Sequence, residues 1–453
     1  KAGYWLDAAD IDGDGACDLA YTSYTLKRSS GNQGAVWLHR GVPSSKSGLG
    51  GVTALPSRVI TGEIAGSTSA QFGRMMSLGD IDGDGKAELL VGQPYFETAS
   101  KVKDQGAIRV FKGKAFAKAP LAAMETADKS DWSIIGPKKS DLYGYRVWIK
   151  DMNGDGLGDV LAHHVYGELT GKPGASGILA TYYGVKGKLP STTPSMTLGG
   201  KKGYDFFGTS VARLGDLDKD GKKDLLVFAS DEDSLGYNVG RPYVVPGDTK
   251  KPHVPLDLPG NAAGSRYGYS LDIIGDVNGD GFEDLVVGAI LDEGAKLSAD
   301  GKTVTGHVGT SAGAAYLHLG TKSGFNLKPA QRLIGFVGHS SSDQLGYRVA
   351  RLGDFDKDQR DDFAVLARYD DQPSAFGAGF EKGSKCPTGY RYNNGAAFIF
   401  RGNKGLPSPQ PAFVVYGPQA SQTLTSVAGG FDYNGDGYMD IAVGSIALDK
   451  PGR

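Results

Sequence analysis

Between Tyr267 and Tyr347 the chain runs through one full cycle of apolar and polar stretches. Tyr267-Gly268-Tyr269 opens an apolar run lasting to Ile274, a polar loop follows Gly275, and Leu285-Val286-Val287-Gly288-Ala289 comes next. That second run is short, β-branched and apolar on both parities, as expected of a strand buried on both faces between packed sheets. A third strand opening with glycine is predicted at Gly313–Gly320. A weaker fourth near Gln331–Ile334 precedes the next opening at Leu345-Gly346-Tyr347. Four short antiparallel strands per cycle predict a propeller blade. No stretch sustains a 3.6-residue period with caps, and 70 glycines disfavour long helices, so the predicted class is all-β.

The polar loop between strands one and two recurs seven times as D-x-[DN]-x-D-[GQ]-x-x-[DE], at residues 10–18, 80–88, 151–159, 216–224, 276–284, 354–362 and 432–440. Its recurrence every 60 to 78 residues marks one supersecondary unit with length variation confined to loops. Each unit needs neighbours on both sides to bury its faces. The expectation is a single domain over 1–453, a seven-bladed β-propeller of four-stranded antiparallel blades. The chain stops after the second strand of blade seven, so that blade is expected to be incomplete here. Sequence continuing past Arg453 is the favoured way to complete it, and strand exchange or assembly with a partner is the other.

Oxygen donors at positions 1, 3, 5 and 9 of a tight loop, with the carbonyl of position 7, give the roughly seven-coordinate oxygen shell that Ca²⁺ prefers. The side-chain donors are Asp10, Asp12, Asp14 and Asp18 in blade one, and Asp80, Asp82, Asp84 and Glu88 in blade two. Blade three offers Asp151, Asn153, Asp155 and Asp159, and blade four Asp216, Asp218, Asp220 and Asp224. Blade five has Asp276, Asn278, Asp280 and Asp284, blade six Asp354, Asp356, Asp358 and Asp362, and blade seven Asp432, Asn434, Asp436 and Asp440. Position 7 is Ala16, Lys86, Leu157, Lys222, Phe282, Arg360 and Tyr438, a set without common side-chain chemistry that fits a backbone ligand. Up to seven Ca²⁺ ions are therefore expected. Position 6 is glycine except at Gln359, where a sharp turn with positive φ costs about 1 kcal/mol or more, so blade six should hold its ion least tightly. An EF-hand would need a bidentate Glu at position 12, where this chain has Tyr21, Val91, Ala162, Val227, Val287, Val365 and Val443. Mg²⁺ wants a smaller octahedral shell. A clamp on each β-hairpin is the plainest role for the ions.

With its aromatic-glycine opening, Asp-rich loop and later glycine-alanine strand, the repeat resembles the FG-GAP repeat of integrin α-subunit propellers and their bacterial relatives. The opening appears as Phe72-Gly73, Tyr143-Gly144, Phe207-Gly208 and Tyr267-Gly268, and the GAP-like element as Gly92-Gln93-Pro94 and Gly288-Ala289-Ile290. Blade one has Ala2-Gly3, blade six Leu345-Gly346, and blade seven Leu424-Thr425 without glycine. The resemblance implies Ca²⁺ in the loops of one face. It implies partner contact through the other face, built from the loops between strands two and three.

Two of those loops are long: Leu291 to Ala312, and Ala367 to Asn394, which carries Tyr369, Phe376, Phe380, Arg391 and Tyr392 among Asp370, Asp371, Glu381 and Lys382. Exposed aromatics beside charges could anchor a protein or stack on sugars; they could equally tack the loop to its own blade. His163-His164 lacks an identifiable nucleophile or ligand pattern, and no G-x-S-x-G or Walker A sequence occurs, so no enzyme activity is expected. No nucleic-acid module is recognisable.

The formal charge of −2 is informative in one respect. Seven divalent ions would add fourteen charges and move it to +12, a basic field toward anionic partners. Cys17 and Cys386 fall on opposite faces and are not expected to pair. Weak calcium sites fill outside cells, which points to a secreted, cell-surface or periplasmic setting. There is no N-x-[ST] sequon and no membrane span. The expected function is an extracellular, calcium-stabilised protein-binding or adhesion module with a protein or glycan partner at the cell surface. A lectin-like propeller and a structural subunit of a surface layer or filament are the alternatives.

Overall fold

The computed structural model describes residues 3–28, 31–42, 51–63, 69–98, 102–114, 124–167, 176–200, 205–213, 224–232, 239–246, 254–255, 264–292, 295–297, 304–307, 312–322, 324–326, 328–334, 343–370, 394–417, 422–432, 434 and 436–447. Their architecture is a β-propeller, and one 3₁₀ turn at Ala127–Lys129 is the helical content among them.

Two compact units are distinguished, one of Lys1–Ala229, Tyr243–Val254 and Gly430–Asp440, the other of Ser230–Pro242, Pro255–Gly429 and Ile441–Arg453. Blades one to three lie in the first. Blade one orders its strands Leu6–Ala9, Asp18–Ser23, Ala35–His39 and Arg58–Thr61. Blade two runs Met76–Gly79, Glu88–Gln93, Ala107–Phe111 and Trp132–Ile135, and blade three Tyr143–Lys150, Asp159–His164, Ile178–Tyr182 and Met196–Gly199. Blade four consists of Phe207–Arg213, Leu225–Ala229, Arg241–Val245 and Val254–Pro255. Blades five and six, Tyr267–Gly275 with Asp284–Ala289, Ala314–His318 and Gln331–Ile334, then Leu345–Gly353 with Asp362–Ala367, Ala396–Phe400 and Phe413–Tyr416, lie in the second unit. The seventh sheet has two described strands, Gln422–Phe431 and Asp440–Ala447.

Second strands are buried throughout their length in blades two, three, five and six, as their unbroken apolar runs require. In blade seven most of Asp440–Ala447 is only half-buried, because its sole described pairing is with Gln422–Phe431. Cores form between successive blades. Ile60, Phe72, Leu89 and Phe111 join blades one and two, and Ile108, Tyr143, Val147 and Tyr182 blades two and three. Val286, Leu345, Val365 and Phe398 join blades five and six. Each such side chain contributes about 1.5–3 kcal/mol by leaving water.

The aromatic-glycine pair makes the joint between blades. Phe72 N–H donates to Gln33 O at 3.0 Å, Tyr143 N–H to Gln105 O at 3.1 Å, and Tyr267 N–H to Val239 O at 3.1 Å. The glycine opening each third strand lies against the same backbone, so a Cβ on Gly106, Gly240 or Gly313 would overlap Tyr143, Tyr267 or Leu345. Leu424, which lacks a following glycine, still closes on Gly395, because the joint is made by backbone. One feature has no counterpart in the repeat. Met124–Thr126 leaves blade two's sequence to pair in parallel with Arg58–Thr61, adding a fifth strand to blade one.

Candidate metal sites and their relatives

Each described loop between strands one and two folds around its first aspartate. In blade one Asp10 Oδ1 accepts the Gly13 N–H at 2.7 Å and Oδ2 the Gly15 N–H at 2.9 Å. Asp80, Asp151 and Asp276 repeat both bonds, and Asp354 and Asp432 accept from the residues at positions 5 and 6. The position-5 carboxylate accepts the position-7 N–H in blades one, two, three, five, six and seven. In the described loops position 6 takes the expected left-handed backbone, with Gly281 at φ 88° and Gln359 at φ 70°. Position 4 does so too, which places Lys357 at φ 63° and gives blade six two strained residues.

The ninth position ties the loop to strand three. Asp18 Oδ2 accepts the Ile11 N–H at 2.8 Å while Oδ1 accepts the N–H of Gly41, the second residue after that strand. Glu88, Asp159, Asp284 and Asp362 bridge in the same way to Gly113, Gly184, Gly320 and Gly402. The position-2 residues and these glycines could not be singled out from the loop pattern alone, although a glycine at a fixed offset after each third strand is a readable signal.

This geometry gathers carboxylates. Ligand atoms of Asp10, Asp12 and Asp18 lie within 4.8 Å of one another, as do those of Asp80, Asp82 and Glu88, and those of Asp354, Asp356 and Asp362. Burial, with a smaller addition from neighbouring carboxylates, pushes Asp18 up to about 7 against the lowering by its two backbone donors. Glu88 and Asp362 also rise to about 7, and Asp159 and Asp284 to about 6, each chiefly by burial. Asp82 is 2 % exposed and its Oδ1 is buried without a hydrogen-bond partner, as is Asp356 Oδ1. Hard oxygens, crowded negative charge and unmatched acceptors fit a divalent cation, whose chemistry here would be to neutralise and cross-link the loop. Asp224 is buried at the base of strand two in blade four, whereas Asp216, Asp218, Asp220 and Lys222 lie outside the described residues.

An FG-GAP repeat model matches residues 72–111, 207–245 and 423–445, segments that start at or beside the aromatic-glycine position and, in the first two, end with strand three. Human integrin alpha-IIb is 28% identical over 231 residues, 48% of this chain and 20% of the relative. Integrin alpha-5 of Xenopus laevis is 27% identical over 228 residues, again 48% of this chain and 20% of the relative. The chain is an integrin-α-like FG-GAP β-propeller. It spans about a fifth of the length of these curated relatives. Among solved structures, rhamnogalacturonan lyase PL11 of Bacillus licheniformis aligns over 97% of this chain and 69% of that one, at 12% identity and TM-score 0.38.

At the strand ends away from the acidic loops, this FG-GAP propeller carries a group of residues that the repeat pattern did not reveal. Arg74, two residues after Phe72, lies over the rings of Tyr145 and Tyr24, at 4.3 and 5.6 Å from their centroids, and donates to Tyr145 Oη at 2.5 Å. Tyr4 packs edge-on against Tyr24 at 4.4 Å, and Tyr166 against Phe206 at 6.0 Å. In the second unit Arg368 lies over Tyr347 and Tyr369, and Tyr347 packs on Tyr269. The signal in the sequence was the residue after the glycine that opens strand one, which reads Tyr4, Arg74, Tyr145, Tyr269 and Tyr347 in blades one, two, three, five and six, with Thr209 the exception in blade four.

Of the long-loop residues, Tyr369 and Asp370 are placed, and 371–393 lie outside the described residues, Cys386 with them. The Leu291–Ala312 loop contains a hairpin, Ala295–Leu297 with Val304–His307. His163 is fully buried, and burial with nearby Arg146 pushes it down to about 3; His164 sits on Tyr143 and near Asp141. Nothing in this arrangement supplies a nucleophile. Cys17 is a free thiol that burial pushes up to about 11, the opposite of an activated cysteine.

Proposed function

We propose that this chain is a calcium-stabilised, non-enzymatic binding module of the cell exterior. Its metal loops hold the blades rigid, and its tyrosine- and arginine-lined strand ends meet a protein partner. The observation that carries the metal reading is the buried Asp82 Oδ1, unmatched beside Asp80 and Glu88. The partner reading rests on the similarity to integrin α-chains and on the stack of Arg74 with Tyr24 and Tyr145, since arginine and tyrosine dominate protein-binding anchors. Up to seven Ca²⁺ occupy the loops at Asp10, Asp80, Asp151, Asp216, Asp276, Asp354 and Asp432. Extracellular calcium, near millimolar, suits loops of this exposed kind. Among the described residues no helix is long and apolar enough to cross a membrane.

The test is bound metal per chain together with thermal unfolding in calcium and in chelator. About seven ions and a melting temperature that falls steeply on chelation support the reading, whereas few ions and no shift reject it. Surface capture of candidate ectodomains by the wild type and by Arg74→Ala tests the partner face. Equal capture by both proteins would remove that face from the proposal.

A further inference from the structure

The described loops fall into two classes by the way position 3 is held. In blades three, five and seven it is asparagine, whose Nδ2 donates to the position-5 carboxylate, Asn153 to Asp155 at 3.0 Å, Asn278 to Asp280 at 2.9 Å and Asn434 to Asp436 at 3.0 Å. In blades one, two and six it is aspartate, which has no proton to give, and two adjacent carboxylates would repel. There a base approaches from outside the loop. Arg40 Nε lies 3.2 Å from Asp12 Oδ2 and donates to Asp14 Oδ2 at 3.0 Å; Lys112 Nζ reaches Asp82 Oδ2 at 2.6 Å; Arg401 Nε lies 3.1 Å from Asp356 Oδ2.

All three bases occupy one structural position, the residue immediately after strand three, since those strands end at His39, Phe111 and Phe400. In the asparagine blades three and five the same position is Tyr183 and Leu319, uncharged in both. Blade four departs from this pairing in sequence, with Asp218 at position 3 and Pro246 at the base position, and residues 214–223 of its loop lie outside the described residues.

Resting on the calcium reading, we infer that Arg40, Lys112 and Arg401 are positioning residues. Each holds the outer oxygen of the position-3 carboxylate so that the inner oxygen faces the cation, and each brings its four-carboxylate loop to the charge of −3 that the asparagine loops have with three. Asp82 and Asp356 display the consequence, with Oδ2 taken by the base and Oδ1 buried without a partner. Blade six carries an additional base, Arg360 on Asp358 at 2.9 Å, and is one charge less negative. Because the base in each pair is exposed to water, the pair adds little to overall stability, so the effect should be read at the metal. Two sequence solutions thus give loops of similar calcium affinity. Without the base, an aspartate loop would bind more tightly but hold its shape less well when free of metal.

The test uses the full chain with calcium alone as the probe, and amide hydrogen exchange of the segment 80–88 as free Ca²⁺ is raised. The midpoint of protection at Gly83, Gly85 and Lys86 reports that loop by itself. Lys112→Met should move the midpoint about tenfold to lower calcium while speeding exchange in chelator, and Asp82→Asn about tenfold to higher calcium. The double variant D82N/K112M, an asparagine-type loop, should return to within about threefold of wild type, and Lys112→Arg should stay there. A K112M midpoint equal to or higher than wild type, or a double variant no closer to wild type than D82N, overturns the inference. Should K112M not fold, N153D and N153D/Y183K ask the same question in blade three, where N153D should tighten the midpoint and the added lysine restore it; no restoration overturns the inference. Wild-type exchange that ignores calcium would instead bring down the calcium reading itself.

Discussion

Gln359 and Lys357 hold backbone angles that the other described loops assign to glycine at positions 6 and 4. A non-glycine residue there costs about 1 kcal/mol or more in the folded state, partly offset by the extra chain entropy a glycine would lose. Gln359→Gly should therefore raise stability by about 0.5–1 kcal/mol, read as a higher denaturant midpoint, and should lower the calcium needed to protect that loop. A fall in the midpoint would show that Gln359 makes a contact worth more than its strain. His163 gives a pH signature of definite sign. Its folded pKa lies below the ordinary value near 6.5, so its contribution is complete above pH 6.5 and is lost as pH falls toward 3, where the unfolded chain takes up a proton that the folded one refuses. His163→Leu should flatten the acid limb of the stability curve by about 1 kcal/mol per pH unit over that window, measured by urea unfolding at several pH values. An unchanged slope would assign the acid limb to other groups. The loop carboxylates could be read from the chain because their residue types recur at fixed spacing. Arg40, Lys112 and Arg401 could not, because each lies about thirty or more residues from the carboxylate it meets, and only folding sets that distance.

At the scale of strands and blades, sequence legibility followed repetition. Strands one to three recur with the loop and were predicted within a residue or two, since burial on both faces leaves a continuous apolar run. The joint between blades was half-visible: the glycines stood out, but their purpose, close approach of two backbones, needs the neighbouring blade to be seen. For the same reason Leu424 forms the joint despite lacking the following glycine. The Met124–Thr126 strap was invisible, being three residues without periodicity whose pairing is decided in another blade. Its anchor is Glu125, which accepts from Arg58 Nη2 at 2.7 Å where Arg58 is 7 % exposed. Removing the carboxylate leaves a buried guanidinium without its counter-ion. Glu125→Ala should cost about 2 kcal/mol or more, and should speed amide exchange of Arg58–Thr61 before that of blade three. Equal exchange in both segments would mean that the strap merely lies against blade one.

On the scale of the whole molecule the two classes of loop have a common electrostatic outcome. On the calcium reading a loop that carries −3 before calcium would carry −1 after it, and blade six, with Arg360 as well, would be neutral, so the loop ends would stay neutral to mildly acidic while the net charge of the chain reversed. From −2 without metal, seven ions bring the formal charge to +12, and three, one for each triad of crowded carboxylates, would bring it to +4. Electrophoretic mobility in solution counts these charges directly. In chelator the protein should migrate as a weak anion, and in millimolar calcium as a cation, with the mobility rising in step with bound ions measured on the same sample. A protein that stays anionic in calcium would exclude the seven-ion reading. If the reversal occurs, it also sets how a partner is found: an anionic surface would be steered to the loaded protein, with an association rate that falls as salt rises and collapses on chelation even where the blades stay folded. Short-range contact through Arg74 and its tyrosines would then govern dissociation, so Arg74→Ala should change the off-rate and leave the salt dependence of the on-rate intact.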